Sequence, residues 1–518
     1  MTINKLKNKF LFLLLLLIVC FNYSNFIGFK EVKDDNVDYL KYSLNFAIHN
    51  KQSMSSHQDN EILLDDERSP GYSFLNSLLL RSDKNELLKK NLNCFLKGKE
   101  KFCKNIIEKL QKINFLFYLM TIFSIIFITF EFTKNLFYSI LISIFFSINT
   151  FFISNISYVN PEIMSVFIIL WLSYFSYKFY QKENYFNQTL LLFFASLIYF
   201  FKPVFIFYLL FMLIMNIFLD IKSFRSLKKK NLNILIIFIL SISPILFIKI
   251  ITVDKIIKVT NTSSVIVQIK ENYYKKYSAN KYKNDMRNYN NHDNFLPDNT
   301  GGEVFLARAV YGFIRWDEIV PLTISFLPRV NNYLLDNFYE FDQIERIKPG
   351  ASFEGRNRNF FLIYRKYISE DFLLDKGYDL KKINTFQKST IVYFSNTFKQ
   401  IVLTPIFILR GILSTTNYND VSSRFDNKII SIIYKLFALI TFLVQFISLF
   451  FIIYSFFKYI FNNDNNRYLY FIMLPSYSII FHGVLTHFIP RYSQPLISTA
   501  YIFLGILLYE LIYKKFKL

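Results

Sequence analysis

Five short stretches of this chain place carboxylates and cations where they could act on a substrate together. Asp34-Asp35-Asn36-Val37-Asp38-Tyr39-Leu40 follows the first apolar block. Arg68-Ser69-Pro70-Gly71-Tyr72 lies in the polar segment after it. Ser157-Tyr158-Val159-Asn160-Pro161-Glu162 joins two later blocks, and Lys202-Pro203 joins two more. His482, His487 and Pro490-Arg491-Tyr492 precede the last block. A carboxylate can take a proton from an attacking hydroxyl, provided its pKa suits the working pH. An arginine fork or a lysine can hold a phosphate and offset charge that develops on it. Ionisable groups near membrane depth are costly to keep, which makes them functional candidates by default.

Each group has a plainer alternative. Asp34, Asp35 and Asp38 would favour a helix dipole at a helix start, and so would Glu162 after Pro161. Arg491 and Lys202 could snorkel to lipid headgroups, and Arg68 could be a surface charge. His482 and His487 are five apart, which is not the i, i+4 spacing of a helical zinc pair. Order and common placement, rather than any one motif, favour the chemical reading.

The elements that must position these groups are membrane spans. Apolar residues make up 53% of the 518 residues, and they fall in long uninterrupted blocks such as Phe10–Cys20. Blocks near 20 residues read as transmembrane helices, so a soluble enzyme, a disordered chain and a disulfide-rich secreted module are all excluded. The formal charge of +22 could suggest nucleic acid, but much of it sits in clusters beside span ends. Hydropathy predicts about ten spans, near 10–28, 114–131, 136–153, 162–179, 188–201, 204–220, 232–250, 430–459, 468–485 and 494–513. Pro203 divides the fifth from the sixth. An even number of spans puts Lys5, Lys7 and Lys9, the Lys222–Lys230 cluster, and Lys514, Lys515 and Lys517 on one side, the cytoplasm.

The predicted fold is therefore an all-α polytopic membrane protein with two large extracytoplasmic loops that carry short helices. Its parts are a signal-anchor span (1–28), a first outer loop (29–113), a bundle (114–250), a second outer loop (251–429) and C-terminal spans (430–518). An interfacial or re-entrant helix is expected near 398–413, which holds Pro405 and Arg410. Cys94 and Cys103 share the first outer loop, where an oxidising compartment would permit a disulfide; two free thiols are the alternative.

In the order of its motifs the chain resembles the GT-C class of integral-membrane glycosyltransferases. It is most similar to the bacterial relatives of protein O-mannosyltransferases and to the lipid A aminoarabinose transferase. Asp35-Asn36-Val37-Asp38-Tyr39-Leu40-Lys41-Tyr42-Ser43 resembles the family's acidic motif after span one, with Asn36 where Glu is common. Arg68 to Tyr72 matches its Arg-x-Pro-Gly-Tyr turn, and Glu162 the acidic residue that opens span four. Lys202-Pro203 matches a basic-Pro step, and Arg491-Tyr492 the Arg-Tyr pair before the final span, with His487 where Glu often stands.

The resemblance implies inverting transfer of a single sugar from a polyprenyl-phosphate donor to a hydroxyl on a lipid, glycan or protein. The site would face the periplasm from a bacterial inner membrane. Asp35 is the expected base, with Glu162 and Asp38 as further catalytic candidates. Arg491, Lys202 and Arg68 would hold the donor phosphate, and Tyr39, Tyr72, Tyr492 and His487 would contact substrate. No cofactor is required and no nucleic-acid partner is expected. A divalent metal is compatible with Asp35 and Glu162, but no cluster demands one. The alternatives are a lipid or sugar flippase and an envelope polysaccharide polymerase or ligase.

Overall fold

The computed structural model describes residues 2–33, 35–59, 62, 68–222, 229–260, 305–306, 308–313, 316, 369–380, 383–415, 421–461, 468–485 and 494–516. All regular structure among them is helical. The chain divides into two compact units, residues 1–252 with 418–478 and 491–518, and residues 253–417 with 479–490.

The first unit opens with α1 (Thr2–Phe26) and a set of shorter helices: α2 (Asp35–His49), α3 (Pro70–Leu80), α4 (Lys84–Lys89) and α5 (Leu92–Lys97). Local signals explain their ends. Pro70 starts α3, where a missing N–H costs nothing. Asn91 caps α5 by accepting from the Cys94 N–H, and Gly98 ends it at φ +58°. A disulfide joins Cys94 of α5 to Cys103 near the start of α6 (Lys101–Thr133), so of the two alternatives for these thiols the structure contains the bridge.

The bundle continues with α7 (Leu136–Ser147), α8 (Thr150–Ile156), α9 (Glu162–Gln181), α10 (Tyr185–Phe201), α11 (Tyr208–Lys222) and α12 (Lys229–Thr260). Asn135, Asn149 and Asn184 cap α7, α8 and α10 through their side-chain oxygens. Of the candidate spans α9 is the most enclosed, with 78% of its apolar window buried against 17% for α1. It packs against both α6 and α10.

In the second unit, α13 (Ser369–Asp375), α14 (Thr385–Ser395) and α15 (Thr397–Thr415) surround a small core that includes Leu306, Val310, Leu373, Val392 and Phe407. Arg308 is fully buried there. Its Nε donates to the Gly483 carbonyl at 3.1 Å, another N–H reaches the Gln400 side chain, and its guanidinium stacks 4.3 Å from the Phe407 ring centroid. The segment expected as an interfacial helix lies in α15, which α14 meets at a 99° bend.

The last helices are α16 (Lys428–Phe461), α17 (Leu469–Leu485) and α18 (Ile497–Phe516). Among the described residues seven helices are long and apolar enough to cross a membrane, or nine if each bent pair counts as one span. The sequence suggests about ten. Part of the difference is local: α10 and α17 have only 17 residues each, and the expected 136–153 span is broken into α7 and α8 at a 63° bend. The architecture is that of an all-α, multi-pass membrane protein.

Candidate functional site

The buried ion pair of the site is Glu162 with Lys202. Glu162 is the first residue of the central helix α9, and its backbone N–H donates to the Asn160 side-chain oxygen at 3.2 Å. A carboxylate there also meets the positive end of the helix dipole. Lys202 is placed by the proline that follows it. Proline disfavours helical geometry in the preceding residue, and Lys202 accordingly has φ −144° and ψ 87° and ends α10. Its ammonium donates to Glu162 Oε2 at 2.5 Å, and the two side chains are only 8% and 12% exposed.

A second pair joins α2 to the turn before α3. Arg68 donates from Nη2 to Asp38 Oδ2 at 2.7 Å and from Nε to the same oxygen at 3.3 Å. These side chains are 16% and 13% exposed. The guanidinium lies over the Tyr39 ring, 5.8 Å from its centroid, and Tyr39 meets Tyr72 edge-on at 5.6 Å. The Gln52 side chain donates to the Arg68 carbonyl at 2.6 Å and fixes the turn from behind. Tyr72 is buried, and burial pushes its phenol up to about 12, so it stays protonated and polar without charge.

Two contacts tie the pairs into one region. A methyl group on Gly71 would come within 2.9 Å of the Phe200 carbonyl oxygen, so only glycine lets α3 close on the end of α10 this way. Gly71 is three residues from Arg68, and Phe200 is two residues from Lys202. From the other side, Asn114 on α6 donates to the Tyr158 carbonyl at 2.6 Å and accepts from the Tyr72 hydroxyl at 3.5 Å. Asn114 therefore links the first polar segment to the loop that ends at Glu162.

The expected site residues are thus distributed as follows. Asp38, Tyr39, Arg68, Tyr72, Glu162 and Lys202 occupy this region. Asp35 is the first residue of α2, one turn before Asp38, and only its backbone is described. Arg491, Tyr492 and His487 lie outside the described residues. Among the described residues no three His, Cys, Asp or Glu side chains gather as a metal site.

Several residues here have contacts that the sequence motifs do not reveal. Asn114 and Asn160 are fastened by hydrogen bonds that span 44 and 5 residues. Lys30 and Arg424 flank the same 157–158 loop: Lys30 donates to Ser157 Oγ at 3.1 Å and Arg424 to the Tyr158 hydroxyl. Asn160 stands in the Ser157–Glu162 stretch, but its bonds to Asn155 and to the Glu162 N–H are seen only in the structure. Comparison with protein-family models, curated proteins and solved structures finds no match.

Proposed function

We propose that the protein is a glycosyltransferase that moves one sugar from a polyprenyl-phosphate donor to a hydroxyl acceptor, inverting at the anomeric carbon. The observation that carries this reading is the pairing of Asp38 with Arg68 and of Glu162 with Lys202, joined through the Gly71–Phe200 approach. These four residues stand at four of the motif positions that resemble GT-C enzymes.

Asp35 takes the proton from the acceptor hydroxyl as its oxygen bonds to the anomeric carbon. The bond from that carbon to the phosphate oxygen breaks, and its electron pair leaves on the phosphate. Lys202, Arg68 and Arg491 offset the charge that grows there. Asp38 holds Arg68, and Glu162 holds Lys202, so neither cation must be ordered when the donor arrives. A single phosphate does not require a metal, and a divalent ion is compatible with Asp35 and Glu162. The site faces the periplasm of a bacterial inner membrane.

The test uses the full chain in nanodiscs with a panel of polyprenyl-phosphate sugars, read by mass spectrometry of the products. Asp35→Asn is expected to lower kcat by about 100-fold or more with donor KM little changed. Undiminished transfer in an inserted, folded variant sinks the base assignment. Passage of labelled lipid or sugar across the bilayer with no new glycosidic bond would point to a flippase. Transfer of a preassembled glycan from a diphosphate donor would point to a polymerase or ligase.

A further inference from the structure

We infer that Lys30 and Arg424 form a second binding site for a phosphate group, made of cations other than those paired with Glu162 and Asp38. Two cations converge there on one short loop. Lys30 donates to Ser157 Oγ at 3.1 Å, and Arg424 donates to the hydroxyl of the adjacent Tyr158 while its guanidinium lies 5.2 Å from that ring's centroid. Among the described residues neither side chain pairs with a carboxylate. This separates them from Arg68 and Lys202, each of which has its acid. A lysine carries three donors and an arginine five, so both keep N–H groups for a further acceptor after these bonds are made.

The two cations are held where they are. Lys30 lies over the Phe26 ring, 5.0 Å from its centroid. Phe425, next to Arg424, meets Phe26 edge-on at 5.8 Å and stacks on Tyr434 at 4.9 Å. Tyr434 in turn donates to the Asn22 side chain at 3.1 Å. Repulsion between the cations is therefore not relieved by simple separation. Burial, and after it the charge of Arg424, bring the Lys30 ammonium down to about 8. An anion between them would offset the repulsion and favour the charged ammonium. Phosphate suits the pair, because the guanidinium fork can take two of its oxygens and the ammonium a third. Lys30 follows the span that ends at Phe26, and Arg424 precedes the span that begins at Lys428. A lipid headgroup or a water-borne phosphate could reach that level.

The test follows the reactivity of one amine. The full chain in maltoside micelles, which carry no phosphate, is labelled with an amine-reactive reagent at pH 8, and Lys30 is read by peptide mass spectrometry with exposed Lys112 as the internal control. Short-chain phosphatidylglycerol is expected to slow Lys30 labelling several-fold and to leave Lys112 unchanged. If inorganic phosphate protects equally, the site takes water-borne phosphate; if only the lipid protects, it takes a headgroup. Arg424→Gln should abolish the protection, and Arg424→Lys should keep part of it. No protection by either phosphate compound, or equal protection by short-chain diacylglycerol, overturns the inference. None of these outcomes depends on transferase activity.

Discussion

Helix α9 carries a carboxylate–lysine pair at each end, and the two pairs sit in different surroundings. At its start Glu162 meets Lys202, with side chains only 12% and 8% exposed. Toward its end Lys178 meets Glu131 of α6, where the exposures are 26% and 27% and Tyr174 also donates to the carboxylate. Sixteen residues separate Glu162 from Lys178, roughly 24 Å along a helix. Both suit the helix dipole, an acid at the N-terminus and a base near the C-terminus, so the dipole does not distinguish them. Burial does. A charge that loses its partner in a dry site stays uncompensated, whereas a wetter one recovers hydration. A like-looking pair can therefore be a structural necessity at one end and a minor contact at the other.

The sharpest way to break this comparison is Glu162→Gln. It removes the carboxylate that Lys202 meets in a buried site, and should cost up to about 3–5 kcal/mol of stability in a denaturation series. Adding Lys202→Met should recover part of that loss, because the buried ammonium itself is gone. A double variant no more stable than the single one would show that the ion pair is not what matters.

The next effect concerns the polar segment packed near the Glu162 end. Cys94→Ser opens a short disulfide loop, and should cost about 2–3 kcal/mol by the loop-entropy account. Amide exchange should rise over α5 and the first turn of α6 and stay unchanged around Lys178. Uniform loosening of the whole bundle would contradict a local role.

A smaller, pH-dependent loss is expected in the same segment. His57 is buried, and burial holds its imidazole below the usual 6.5, against the opposing hydrogen bond with the Lys90 carbonyl. The folded form is the neutral ring, whereas the unfolded ring takes a proton near pH 6.5. The contribution is therefore complete above pH 6.5 and declines as pH falls below it. Protection of residues 53–59, corrected for the intrinsic slowing of amide exchange in acid, should fall between pH 7.5 and 5.5, and His57→Gln should flatten that response. The smallest effect belongs to Lys178→Met, at most about 1 kcal/mol. A loss there as large as that of Glu162→Gln would remove burial as the explanation.

Legibility in the sequence followed the range of the forces involved. Lys202 could be placed at the end of a helix because Pro203 acts on its immediate neighbour. Pro70-Gly71 reads as a turn, and the structure shows Pro70 opening α3 there. The partners could not be read in this way. Arg68 lies 30 residues from Asp38 and Lys202 lies 40 from Glu162, and nothing local says which acid meets which base. Gly71 was visible as part of a turn, but its need to be glycine comes from the Phe200 carbonyl opposite it. Lys30 and Arg424 carry no motif at all.

By itself the sequence determined the membrane class, most of the long apolar helices and several of their ends. Those follow from hydropathy, prolines and caps acting over a few residues. Only the tertiary structure decided that the 136–153 stretch bends, that Glu162 and Lys202 are buried together, and that Lys30 and Arg424 share a loop with no acid paired to either among the described residues. Each of these depends on which helix packs beside which, because burial and charge compensation belong to neighbours in space rather than in the chain.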